Sequence, residues 1–176
     1  ELIYNNELSS AVEDMGYKAV LAEGADRILG WRSPDFVYQP VNSKIKLLLK
    51  NYRLSDDIAF RFSNREWKDW PLTAEKFAGW VSKVNGNGNC VNLFMDYETF
   101  GEHQWEDTGI FHFLNKLPEE LLKHQNNTFM TPSEVIAKNK PLGEIDVPHI
   151  LTWADTERDL SAWTGNEIQK EAIARI

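Results

Sequence analysis

The sequence predicts an α/β fold, parallel strands joined by helices and followed by a helical region. Three observations predict it. Short apolar runs alternate with stretches of helical periodicity, each run ends in a cluster of polar and acidic residues, and beyond Trp105 only the helical period persists. Strand, helix and strand repeated with crossovers of this length join parallel neighbours right-handedly, so a barrel or its open relative follows. In such folds chemistry is placed at the carboxyl ends of the strands, which is where the polar clusters fall.

The first element is a helix capped by Asn5 or Asn6, with Leu8, Ala11, Val12 and Met15 on one face and Gly16 as its stop. That face is expected in the core. Residues 17–22 read as a strand, with Glu23, Asp26 and Arg27 at its end and Trp31 and Arg32 extending the loop. Residues 45–49 read as the next strand and lead into a polar stretch at 52–57. The clearest helix has Thr73 as N-cap and carries Phe77, Trp80, Val81 and Val84 on one face. It returns the chain, through an Asn/Gly turn at 85–89, to an apolar run at 90–95 that reads as a buried parallel strand. Strand ends are thus expected at Glu1, Ala22, Leu49 and Met95. Past Trp105, a stripe of Ile110, Phe111, Leu114 and Leu117 marks a helix, Pro118 restarts a turn, and Thr131-Pro132-Ser133-Glu134 is a capping box. Residues 141–148 are expected to be loop.

Composition excludes several classes. A formal charge of −8 over 176 residues lacks the clustered Lys and Arg excess that phosphate binding needs, so no nucleic-acid partner is expected. Nothing approaches the roughly 20 apolar residues of a membrane helix. The single cysteine, Cys90, lies in an apolar run and is expected to be a buried, inert thiol; an intrachain disulfide or a cysteine-based zinc site is excluded. The four histidines show no metal-ligand spacing, so no metal or other cofactor is expected. A cytoplasmic location and a neutral or polar ligand suit the chain best.

The most informative stretch runs from the strand at 90–95 into Asp96, Tyr97, Glu98, Thr99, Phe100, Gly101, Glu102 and His103. On an extended segment Asp96 and Glu98 lie on the same side, at the rim of a site or capping a following helix. The motif MDYETFGEH resembles the fourth motif of the family 57 glycoside hydrolases, the α-amylase and amylopullulanase group. Glu1-Leu2-Ile3-Tyr4-Asn5 is similar to the tail of that family's third motif, and Thr152-Trp153-Ala154-Asp155 through Trp163 resembles its fifth.

The resemblance implies an incomplete seven-stranded β/α barrel. Residues 1–105 would be its last four strands, lacking the N-terminal half, and 106–176 a helical region packing on the barrel and completing the substrate site. It implies Glu1 as nucleophile, Asp96 as general acid/base and Glu98 as a sugar contact, with Asp159 and Trp163 carried over from the fifth motif. His103 is a further candidate sugar contact. Among the seven tryptophans, Trp31 and Trp105 sit in expected loops, where an indole face suits stacking on sugar rings. The implied activity is retaining hydrolysis of α-1,4-linked glucans such as starch and maltooligosaccharides, extending to pullulan. A 4-α-glucanotransferase or branching transglycosylase, a metal-dependent polysaccharide deacetylase and a non-catalytic glucan-binding module are the alternatives.

Overall fold

The computed structural model describes residues 1–176. Its centre is a pair of parallel strands, β1 (Ala19–Glu23) and β3 (Lys46–Lys50), in a register that sets Ala19 beside Lys46 and Glu23 beside Lys50. A second parallel pair joins the two-residue strands β2 (Gln39–Pro40) and β4 (Glu144–Ile145), the latter inside the stretch expected to be loop. The chain is therefore α/β with short parallel strand pairs, as expected at that level. The expected strand at 90–95 is reduced to one parallel bridge, Lys50 with Asn92. The reason lies in β3: Leu47 exchanges both its backbone bonds with Tyr38, antiparallel, so the run at 90–95 meets β3 only at its carboxyl end. The strand expected to end at Glu1 would precede the first residue. The residues after Glu1 bond elsewhere, Tyr4 pairing antiparallel with Leu151.

Eight α-helices surround these strands. In α1 (Asn6–Asp14) Asn5 caps the Leu8 N–H, but the expected apolar face is not core: Met15 is 74% exposed and the buried residue is Ser9. Two short helices, α2 (Asp26–Leu29) and α3 (Tyr52–Ala59), start immediately after β1 and β3. Helix α4 (Ala74–Ser82) begins as expected, with Thr73 Oγ1 accepting the Lys76 N–H. It packs on α5 (Ile110–Leu122), which runs unbroken through Pro118 and buries Ile110, Phe113, Leu117 and Leu121. The stripe is thus displaced from the expected one, leaving Phe111 and Leu114 facing solvent. Helix α6 (Pro132–Lys138) carries the expected capping box with both reciprocal bonds, and α7 (Ser161–Thr164) and α8 (Glu167–Ala174) end the chain.

Besides a small cluster of Val37, Leu48 and Val135, two large apolar clusters of ten buried residues each result from this layout. One joins β1, β3, Tyr4 and Tyr38 to Ile145, Val147 and Leu151, so residues near both ends of the chain share a core under the strands. The other is the α4–α5 contact, where Phe113 meets Phe62 and Phe77 edge-on, with ring centroids 5.2 and 5.9 Å apart. No helix is long and apolar enough to cross a membrane.

Candidate active site

The parallel register brings the last residues of β1 and β3, Glu23 and Lys50, side by side at one end of the strand pair. Both are buried, at 1% and 6% exposure. The strand continues into Gly24, where a Cβ would lie 2.2 Å from the Lys50 carbonyl oxygen, so only glycine lets the two backbones approach this closely. Glu23 Oε1 accepts the Gly24 N–H at 2.7 Å, while Oε2 faces Lys50 Nζ at 3.5 Å and Arg158 Nε at 3.8 Å. Lys50 also faces Asp56 Oδ1 of α3 at 3.8 Å. Burial pushes the carboxyl groups of Glu23 and Asp56 above their ordinary range, outweighing the opposing pull of Lys50 and Arg158 on each.

These charges form the floor of a cavity of about 470 Å³. Its rim comes from segments without strand pairing. Glu1, Asp96 and His103, three of the residues expected at the site, line it together with Met95, Phe94, Trp153 and Asp155. The Trp153 indole Nε1–H donates to Glu1 Oε2 at 2.8 Å, and the Trp153 backbone N–H to the Glu1 carbonyl at 3.2 Å. Phe94 meets the Trp153 ring edge-on at 5.1 Å, and Lys50 Nζ lies 4.5 Å from the ring centroid. Asp96 is the last extended residue before a 3₁₀ turn, Tyr97–Thr99. The segment is anchored upstream by the Asn51 N–H bonding Asn92 and by the Phe94 N–H bonding Ser55 Oγ.

Other expected residues lie outside the lining. The 3₁₀ turn carries the Glu98 side chain away into solvent, and its carbonyl accepts the Glu102 and His103 N–H groups at 3.1 and 3.0 Å. Asp159 Oδ1 accepts the Ser161 N–H at 2.8 Å, and hydrogen bonding from Ser161 holds its carboxyl below the usual range. Trp163 is half-buried in α7, whereas Trp31 and Trp105 are 94% and 65% exposed.

Glu23, Lys50, Asp56, Trp153 and Arg158 line the cavity without a role of their own in the sequence analysis, although Trp153 and Arg158 fall within the stretch 152–163 that resembles the fifth motif. Their signal is position: Glu23 and Asp56 belong to polar clusters that come after strands, and Lys50 directly follows the apolar run. Asp26, in the first of those clusters, turns away to accept from the Tyr52 hydroxyl and Arg53. Arg158, at φ +52°, reaches back over the Tyr52 ring at 4.4 Å.

No three or more His, Cys, Asp or Glu side chains are grouped so as to hold a metal ion. A second cavity, of about 280 Å³, is lined by asparagines and apolar residues between α4, α5 and α6; Lys138 is its one charged residue. It includes Cys90, half-buried, whose thiol burial pushes up to about 11. None of the expected site residues lines it.

A cavity with three rim carboxylates, an indole bonded to one of them and cations beneath holds groups able to do acid/base work. The family model for glycosyl hydrolase family 57 matches residues 1–148. A protein of Methanocaldococcus jannaschii bearing the name "Putative alpha-amylase" is 51% identical over 178 residues, covering 100% of this chain. The chain spans 38% of the length of that relative. By the extent of the family match, through the strands and the motif of Asp96, the chain belongs to glycosyl hydrolase family 57.

Proposed function

We propose that the chain is part of the catalytic domain of a retaining glycoside hydrolase that cleaves α-1,4-linked glucans by double displacement. Glu1 is the nucleophile and Asp96 the general acid/base. One observation carries the reading: Glu1 and Asp96, from opposite ends of the strand region, line a single cavity in which Glu1 is tethered by Trp153. In the first step a Glu1 oxygen attacks the anomeric carbon while Asp96 protonates the departing glycosidic oxygen. In the second, Asp96 takes a proton from water, which displaces Glu1 with net retention.

In this reading β1, β3 and the segment at Asn92 are successive strands of an incomplete (β/α)7 barrel, residues 1–105, with 106–176 as the helical region beside it. His103 contacts sugar within the cavity. Glu98, Asp159, Trp163, Trp31 and Trp105 serve a glucan chain extending beyond it.

The test separates the two carboxylates in the full-length protein. Asp96→Asn loses proton donation, so natural glucans are barely cleaved while substrates with a good leaving group are still attacked. Glu1→Gln loses both. Azide rescues Glu1→Ala with an inverted glycosyl azide and Asp96→Ala with the retained one. The opposite stereochemical pairing would exchange the roles, and full activity of Glu1→Gln would end the reading.

A further inference from the structure

The contact between Trp153 and Glu1 is built from several directions. The indole N–H reaches Glu1 Oε2 at 2.8 Å, and the backbones of the two residues are joined by the Trp153 N–H to the Glu1 carbonyl. Phe94 abuts the ring at an interplanar angle of 80°. Lys50 stands over the ring at 4.5 Å, held by Glu23 at 3.5 Å and Asp56 at 3.8 Å. An ammonium over an indole draws electron density toward itself, which makes the N–H a stronger donor. The buried ion cluster beneath the cavity thus acts on the rim through this ring.

We infer that Trp153 is a positioning residue for Glu1 whose indole N–H acts chiefly when the glycosyl-enzyme breaks down. The inference rests on the reading of Glu1 as nucleophile and deepens it.

The bond changes distinguish the steps. With Oε2 tied to the indole, Oε1 is the oxygen free to attack. Attack forms the bond from the anomeric carbon to Oε1, and the glycosidic bond breaks with its electron pair going to the leaving oxygen, which takes the Asp96 proton. Negative charge disappears from Glu1, so the N–H stabilises the starting carboxylate more than the ester. Its orienting benefit in this step is offset.

In the second step a water oxygen bonds the anomeric carbon and its proton passes to Asp96. The pair of the ester bond returns to Glu1. Charge now develops on the carboxylate that the N–H already addresses, and a donor in place before the charge appears lowers that barrier. Loss of the N–H therefore slows breakdown more than formation.

The experiment replaces Trp153 in the full-length protein by β-(3-benzothienyl)alanine, which keeps the ring shape but has sulfur in place of N–H, and separately makes Trp153→Phe. A nitrophenyl maltooligosaccharide makes formation of the intermediate fast. The expected result for the sulfur analogue is an unchanged Tm, a kcat lower by roughly 10- to 100-fold, as for loss of a hydrogen bond to a charged group, and a KM that falls with it. kcat/KM then changes far less, a burst of nitrophenol precedes the slow steady state, and azide restores part of kcat. Trp153→Phe shows the same split. Wild-type kcat in the sulfur analogue, or equal losses in kcat and kcat/KM without a burst, would overturn the inference. Trapping with an activated fluoro-sugar and mapping the labelled peptide separates the two layers. A label on Glu1 without a burst sinks only the role of Trp153; a label on another carboxylate sinks the reading of Glu1 and the inference with it.

Discussion

The floor and the rim of the cavity are made differently. At the centre of the floor, Glu23 and Lys50 are the last residues of paired strands, buried and fixed by the register, with Asp56 and Arg158 beside them. The rim, Glu1, Asp96, His103 and Trp153, comes from segments held by isolated bridges, turns and side-chain bonds. Charges on the floor are already matched to one another, whereas Asp96 and His103 on the rim have no ion-pair partner and face the cavity. The strands therefore supply electrostatic support and the irregular segments supply the groups able to meet a ligand, a division common where a rigid scaffold presents functional loops.

The floor is the place to break this division first. Lys50→Met removes the ammonium that faces the buried Glu23 and the half-buried Asp56 and is expected to cost ~3–5 kcal/mol of stability, because buried negative charge is left undercompensated. Urea denaturation of the two proteins measures it; a loss below ~1 kcal/mol would make the floor equivalent to a surface ion pair.

A smaller effect concerns pH. The Glu23 carboxyl is raised above its reference of 4.5 in the folded protein, so its favourable contribution is complete below that value and is lost as pH rises through the raised one. Glu23→Gln does not titrate. Its stability relative to the native protein is expected to be flat below pH 4.5 and to climb above it, as read from denaturation at a series of pH values. A relative stability that falls as pH rises would mean that the ion pairs outweigh burial.

The smallest effect is expected at Trp31, 94% exposed and outside the cavity. Trp31→Ala should change stability by less than ~0.5 kcal/mol. In the proposed role its loss raises KM for polymeric glucan and leaves that for a short nitrophenyl substrate unchanged; equal KM values for both native and variant protein would remove Trp31 from the binding surface.

Much of the scaffold is legible in the sequence because local signals agree with the fold. The apolar runs give β1 and β3 to within a residue or two, and Thr73 and Thr131 mark helix starts that both form. The remainder depends on neighbours. The run at 90–95 has strand composition, but Tyr38 already takes both backbone groups of Leu47 on the edge of β3, which leaves only the carboxyl end to Asn92. The Met15 face of α1 has helical periodicity without an apolar partner, and Ser9 turns inward instead. At the site, Glu1, Asp96 and His103 can be singled out from their motifs, and they do line one cavity. Lys50 cannot, since a lysine ending a strand is ordinarily solvated. Its burial depends on carboxylates from β1 and α3 that only the fold brings to it. Glu98 points away from the orientation an extended segment would give it, because a 3₁₀ turn begins at Tyr97, directly after the expected strand end and Asp96.

The two neighbours that share the outer edge of β3 also bear on self-association. Tyr38 takes both backbone groups of Leu47, while Asn92 bonds the Leu49 carbonyl through its side chain and the Asn51 N–H through its own carbonyl. A strand from another molecule needs a continuous row of free donors and acceptors to add to a sheet. Divided between an antiparallel neighbour at one end and a parallel one at the other, this edge offers no such row, so intermolecular growth of the sheet is blocked on that side.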